Sequence, residues 1–182
     1  VIILRTLVLL LVITVSGCSM YTPPYATSID NNQLIKRSGI QPLSVGTFAT
    51  DKKLNKISLR GSPMRSSVGA GYGEYLSDAL TQELKLAKLW SAVSTNEVSG
   101  EILENDIDIS GFSKGDGVIS VKFMVKSNDV IVFDKVVSAK TDIESSFIGA
   151  IAIPNGQANY AVLIQELIKN LFSDQDFINA LQ

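Results

Sequence analysis

A two-layer α+β sandwich is the fold the sequence predicts: a mainly antiparallel sheet with two main helices on one face, in the order β-β-α-β-β-β-α, plus a short C-terminal helix. Three observations predict it. Residues 118–126 alternate strictly, with Ile119, Val121, Phe123 and Val125 on one face and Ser120, Lys122 and Lys126 on the other. Residues 72–89 and 157–172 instead carry apolar stripes at helical spacing. Strands that follow one another through short polar turns, flanked by amphipathic helices, build a sheet covered on one side.

Each element has its own signal. Leu43, Val45 and Thr47 alternate with Ser44 and Gly46, so residues 40–50 read as the first strand. Residues 56–60 are a short extended or edge segment, and 61–71 a Gly- and Ser-rich loop. In the first helix Tyr72, Leu76, Ala79, Leu80, Glu83 and Ala87 recur on one face, and Leu84 and Leu86 widen it. Glu74 and Asp78 near its start, with Lys85 and Lys88 near its end, suit the helix dipole. Residues 98–110 slip phase between Ile102 and Ile107, which a bulge near Glu104-Asn105 would restore. Ser127-Asn128-Asp129 predicts a tight hairpin into a strand over 130–142. The first strand is expected beside a later one after the helical crossover. Residues 147–154 are apolar, contain Gly149 and Pro154, and read as a connection. Helix 157–172 follows, with Tyr160, Ile164, Leu167, Ile168 and Leu171 as its stripe, and Ser173 is expected to cap the last short helix.

Upstream of this domain the chain changes character. Arg5 precedes an apolar run from Leu7 to Ile13, and Val15-Ser16-Gly17 then leads into Cys18, the only cysteine. The run is short against the roughly 20 residues of a membrane span, and it reads as a cleaved secretory signal. Residues 1–17 are therefore taken as the signal peptide, 18–38 as a lipidated, Pro-containing tether, and 39–182 as one α+β domain.

Composition narrows the function. Without the signal, 15 basic residues face 18 acidic ones, unpatterned, which argues against nucleic acid. Histidine is absent, which excludes the usual Ser-His-Asp and Cys-His catalysis and the commonest zinc ligand. Glu104, Asp106, Asp108 and Asp116 have the period-two spacing of a solvated sheet face and match no EF-hand. Gly69-Ala70-Gly71-Tyr72-Gly73 precedes a helix but lacks a nucleotide fingerprint and a Walker lysine, so no nucleotide is expected. No enzyme activity, metal or cofactor is expected.

Val15-Ser16-Gly17-Cys18 resembles the bacterial lipoprotein signal, in which an aliphatic residue and two small ones precede Cys. The resemblance implies a thioether-linked diacylglycerol and an N-acyl chain on Cys18 after cleavage. Such chains contribute about 0.8 kcal/mol per buried methylene, and two or more hold durably. The sorting pattern of Gram-negative lipoproteins, with Ser19 rather than Asp after the cysteine, implies the outer membrane and a domain in the periplasm. In layout the chain is similar to small envelope lipoproteins of the YajG-like, LptE-like and ABC-transport auxiliary types, and Ser173-Asp174-Gln175-Asp176-Phe177-Ile178 resembles a YajG-like ending. These families imply binding or assembly roles. The expectation is an accessory protein that binds another envelope protein through a sheet edge or through Phe147, Ile148, Ile151 and Ile153; the alternative is a carrier of lipid or lipopolysaccharide. Arg60 and Arg65, with Lys52, Lys53 and Lys56 nearby, are candidates for anionic-lipid contact.

Overall fold

A computed structural model describes residues 20–182, so the lipidation site at Cys18 lies outside the described residues. The elements are β1 (Met20–Tyr21), α1 (Ile29–Arg37), β2 (Ser44–Thr50), β3 (Ile57–Leu59), β4 (Ser62–Arg65), α2 (Tyr72–Ala87), β5 (Asn96–Asp108), β6 (Lys114–Ser127), β7 (Val130–Glu144), α3 (Gly149–Ser173) and α4 (Gln175–Asn179).

The main sheet has the order β2-β5-β6-β7. β5, β6 and β7 are an antiparallel meander, and β2 joins β5 in parallel after the α2 crossover, as the sequence predicts. Alternation decides which face is covered. Val98, Ile102 and Ile107 on β5, Ile119, Val121, Phe123 and Val125 on β6, and Val137, Ala139 and Ile143 on β7 are buried under α2 and α3. From the helices come Tyr72, Tyr75, Leu76, Leu80, Tyr160, Leu163, Ile164, Leu167 and Leu171, all at 0 % exposure. The phase slip in β5 is a bulge at Leu103: Ile102 pairs with Val121 and Glu104 with the adjacent Ser120. Leu103 is turned outward, and Asn105 and Ile107 regain the buried face. The β6–β7 turn has both central residues left-handed, Asn128 at φ 48° and Asp129 at φ 66°, the two-residue hairpin its sequence predicts.

Four regions differ from expectation. Residues 20–38 are not a free tether. β1 adds to β4, Tyr25 is 5 % exposed, and α1 packs against α2 and α3. Buried Glu83 of α2 is central to holding this segment: it accepts from the Tyr25 hydroxyl at 2.7 Å and from the Ser28 amide at 2.8 Å. Residues 61–71 are not all loop, since β4 forms a hairpin with β3 and a second sheet of order β1-β4-β3. Residues 147–154 are not a connection beyond Ile148. α3 begins at Gly149, with Pro154 inside it, because Ala152 and Gly156 press its face onto the core. Finally, Asp174 rather than Ser173 caps α4, its carboxylate accepting from the amides of Asp176 and Phe177.

Candidate functional site

Two surfaces concentrate what folding does not need, at opposite ends of the long strands.

The first is built on a hairpin tip. Arg60 and Gly61 join β3 to β4 with φ of 51° and 86°, the left-handed pair a two-residue hairpin demands. An arginine there carries about 1–2 kcal/mol of backbone strain that glycine avoids. Its side chain explains its presence. The guanidinium donates to the carbonyls of Ile109 at 3.0 Å, Phe147 at 3.0 Å, Gly111 at 3.3 Å and Ser146 at 2.6 Å. Ser145 Oγ donates in turn to Ile109 and Gly111. One side chain thus fastens the tip to the β5–β6 turn and to the β7–α3 link.

Fastening those two loops brings two phenylalanines together. Phe112 and Phe147 stack at 5.8 Å with an 8° interplanar angle, yet are 78 % and 75 % exposed. Ile148 and Ile151 lie close to Phe147 in sequence and are 57 % and 49 % exposed. Ile153 does not join them; it packs against the core. Nor does Arg65, which lies at the other end of β4 with its side chain exposed and its carbonyl accepting from the Thr22 amide. The structure therefore brings together Arg60, Phe147, Ile148 and Ile151, and adds Phe112. The signal for Phe112 was present: a lone aromatic between Gly111 and Ser113 in a polar turn has no core to enter.

The second surface is the outer edge of β7. This strand ends the sheet order, so beyond β6 it has no strand partner among the described residues. Val130, Ile131, Val132 and Val136 are 64 %, 53 %, 40 % and 51 % exposed. Val93, 91 % exposed, lies in the loop before β5, at the same end of the sheet as Val130. Here too an open cleft of about 590 Å³ lies among Ser44, Trp90, Glu97, Lys126 and Asn128. Lys135, further along β7, is ion-paired to Asp174 at 2.7 Å and Asp176 at 3.0 Å.

Other candidates are used structurally. In the Gly69–Gly73 loop the Glu74 carboxylate accepts from the Ala70 amide and, at 2.8 Å, from the Gly71 amide, while Asn55 accepts from Tyr72 at 3.1 Å. The loop is a helix cap with its own anion. Asp116 is paired with Lys140 at 3.3 Å. Asp108 accepts from the Ser110 amide, which holds its carboxyl below the usual range. Among the described residues no three His, Cys, Asp or Glu side chains are grouped to hold a metal ion, and no helix is long and apolar enough to cross a membrane.

The class this architecture defines is a small α+β sandwich with one sheet face covered by helices and with β2 and β7 as the edge strands of the main sheet. Its fold is that of protein XCC0632 from Xanthomonas campestris, described under the family model DUF330, at a TM-score of 0.60 and 12 % identity, over 87 % of this chain and 98 % of that one. A minor lipoprotein of Acinetobacter baumannii is similar over 78 % of this chain and 96 % of its own, at 11 % identity and a TM-score of 0.45. No protein-family model and no curated protein matches the sequence.

Proposed function

We propose that this chain is a non-catalytic, lipid-anchored protein of the bacterial envelope that works by binding another envelope protein. The anchor is the acyl set on Cys18, the site is the outer membrane, and the domain stands in the periplasm. The observation that carries the binding role is the free edge of β7. Asn170 and Asn155 of α3 occupy the Ser138 and Glu144 carbonyls. Over residues 130–136, however, the strand has four exposed aliphatic side chains beside an edge with no strand partner among the described residues, which is what β-augmentation uses.

The carrier alternative has less support. Phe48 packs edge-to-face on Phe123 at 5.5 Å, and Tyr160 lies 4.9 Å from Tyr72 and 5.4 Å from Tyr75, so aromatic rings fill the layer between sheet and helices where a lipid groove would run.

The test is photocrosslinking in living cells from Val130 and Val132. A discrete protein adduct, lost when Ile131→Lys and Val136→Lys are combined in a chain with unchanged circular dichroism, is the expected result. An adduct that survives the lysines would remove the edge from the proposal. Mass spectrometry of the N-terminal peptide checks the anchor independently, and a bare thiol at Cys18 would refute it.

A further inference from the structure

We infer that the end of the domain carrying Phe112, Phe147 and Ile148 rests on the bilayer, with the two rings seated at the headgroup boundary as a second, non-covalent anchor. This rests on the reading that Cys18 carries lipid, and it adds which face of the domain meets the membrane.

Direction comes first. β1 runs parallel to β4, with Met20 opposite Met64 and Tyr21 opposite Arg65. Followed backward from Tyr21 to Met20, the chain therefore heads toward Ser62 and the Arg60-Gly61 tip. Helix α3 gives the same bearing independently. Its Gln157 side chain donates to the Tyr21 carbonyl. From there to its start at Gly149 the helix rises about 12 Å. It ends at Phe147, whose carbonyl Arg60 holds. Strand and helix both point from β1 to the phenylalanine pair.

Reach comes second. Cys18 precedes Met20 by two residues, which span at most about 7 Å. Because residues 20–38 are folded into the domain, no spacer separates the acyl chains from its surface. The Cys18 backbone therefore lies within that distance of Met20, and its thioether-linked glyceryl group adds about the same again, which keeps the membrane close to the end of the domain toward which β1 points. On β4, Met64 lies only two residues from Ser62 at the base of the tip, which is again about 7 Å.

Chemistry comes third. Two stacked rings more than 70 % exposed, with Ile148 beside them, are an apolar cap on loops that Arg60 holds rigid. Arg60 and Lys114 are balanced nearby by Asp108 and Glu144, and Lys114 sits directly opposite Glu144. The cap therefore suits a zwitterionic phospholipid surface, and its acidic flanks limit it to shallow insertion. A protein partner would have to enter the same narrow space beneath the domain. The edge proposed above for partner binding starts at Val130, at the far end of β7 from Glu144.

The experiment uses the full acylated chain in phosphatidylcholine vesicles with brominated acyl chains. Trp90 is the only tryptophan and lies beside the cleft at the far end, so the native chain is its own control. The Phe147→Trp variant should lose at least about half of its added emission, while Trp90 emission stays within about a tenth of its value in unbrominated vesicles. Combined Phe112→Ser and Phe147→Ser in a non-acylated Cys18→Ser chain should weaken sedimentation with the same vesicles about tenfold. Unquenched added emission from the Phe147→Trp variant, in a chain whose Cys18 is verified as acylated, would overturn the orientation and leave the anchor standing. A bare thiol at Cys18 would overturn both. A protein adduct captured from Phe112 would reassign the patch to a partner.

Discussion

Arg60 donates to the carbonyl of Phe147 across 87 residues of sequence at 3.0 Å, from a backbone conformation that arginine rarely adopts. The hairpin tip and the exposed phenylalanine pair are therefore one unit. Arg60→Ala keeps the strained φ and loses all the carbonyl contacts, so it should lower stability by about 1–2 kcal/mol. Arg60→Gly loses the same contacts but relieves the backbone, and should be the more stable of the two by about 1 kcal/mol. Urea unfolding measures both. Hydrogen exchange should rise at residues 109–112 and 145–148 in either variant. Equal stability of the two would show that the left-handed arginine stores no strain.

Glu83 is fully buried and serves as the clamp for the N-terminal segment. Glu83→Ala leaves the Tyr25 hydroxyl and the Ser28 amide without an acceptor and should cost about 3 kcal/mol. Tyr25→Phe removes one of those bonds and should cost about 1–2 kcal/mol, with protease access appearing first within residues 20–38. If Glu83→Ala unfolds with an unchanged midpoint, the N-terminal segment is not fastened this way.

Much of the main sheet was legible because alternation is a direct consequence of the pleat. Ile119 to Val125 follow from side-chain period alone, and so does the need for a bulge in β5, although it sits at Leu103, just before the expected Glu104-Asn105. Helix α1 was hidden by its polarity. Ser28 caps it, Asp30 opens it and Lys36 and Arg37 close it, but its buried face is made by Asn31, Asn32 and Ile35. Asn31 is buried because its amide donates to the Gln165 carbonyl at 2.9 Å, a tertiary contact no local pattern carries. The Arg60-Gly61 hairpin was missed for a similar reason, since an arginine at positive φ is explained only by acceptors from distant loops. Of the proposed site, Phe147, Ile148 and Ile151 were readable as apolar residues with no obvious cover. Their pairing with Phe112 needed the sheet register.

The tyrosines predict alkaline behaviour. Burial, together with Glu83, raises the Tyr25 phenol far above its usual range; burial does the same for Tyr72, Tyr75 and Tyr160. The native state then holds protons that the unfolded chain releases above about pH 10. Stability from these groups is complete below that pH and falls as pH rises, by about 1.4 kcal/mol per pH unit for each ionising group. Absorbance at 295 nm should show these four phenols ionising together with loss of circular dichroism. Smooth titration of all of them in a folded protein would contradict their burial.

Asp174 predicts the opposite limb. Partial burial opposes its charge, but the Lys135 ammonium and the amides of Phe177 and Asp176 outweigh that and hold its carboxyl below the ordinary value. A depressed carboxyl contributes stability above the unfolded value near pH 4, and that stability is lost as pH falls through the folded one. Asp174→Ala should cost about 1 kcal/mol at neutral pH through the lost cap. The difference from the parent chain should shrink below about pH 4. A difference that does not change with pH would mean that the charge contributes nothing.

Two glycines on the covered face separate a backbone constraint from a packing one. A Cβ on Gly73 would stand 1.9 Å from the Phe48 carbonyl oxygen, so α2 lies on β2 at a distance only glycine permits. Backbone on both sides cannot step aside, and Gly73→Ala should cost about 3 kcal/mol or more. A Cβ on Gly156 would meet the Ile109 Cγ2 at 3.0 Å and the Ile107 Cγ2 at 3.3 Å, both side-chain methyls. Those can shift, and alanine gains up to about 1 kcal/mol of helix propensity over glycine inside α3. Gly156→Ala should therefore change stability by less than about 1 kcal/mol. Thermal unfolding of the two variants side by side decides it: equal losses would place the close approach of helix and sheet at α3 as much as at α2.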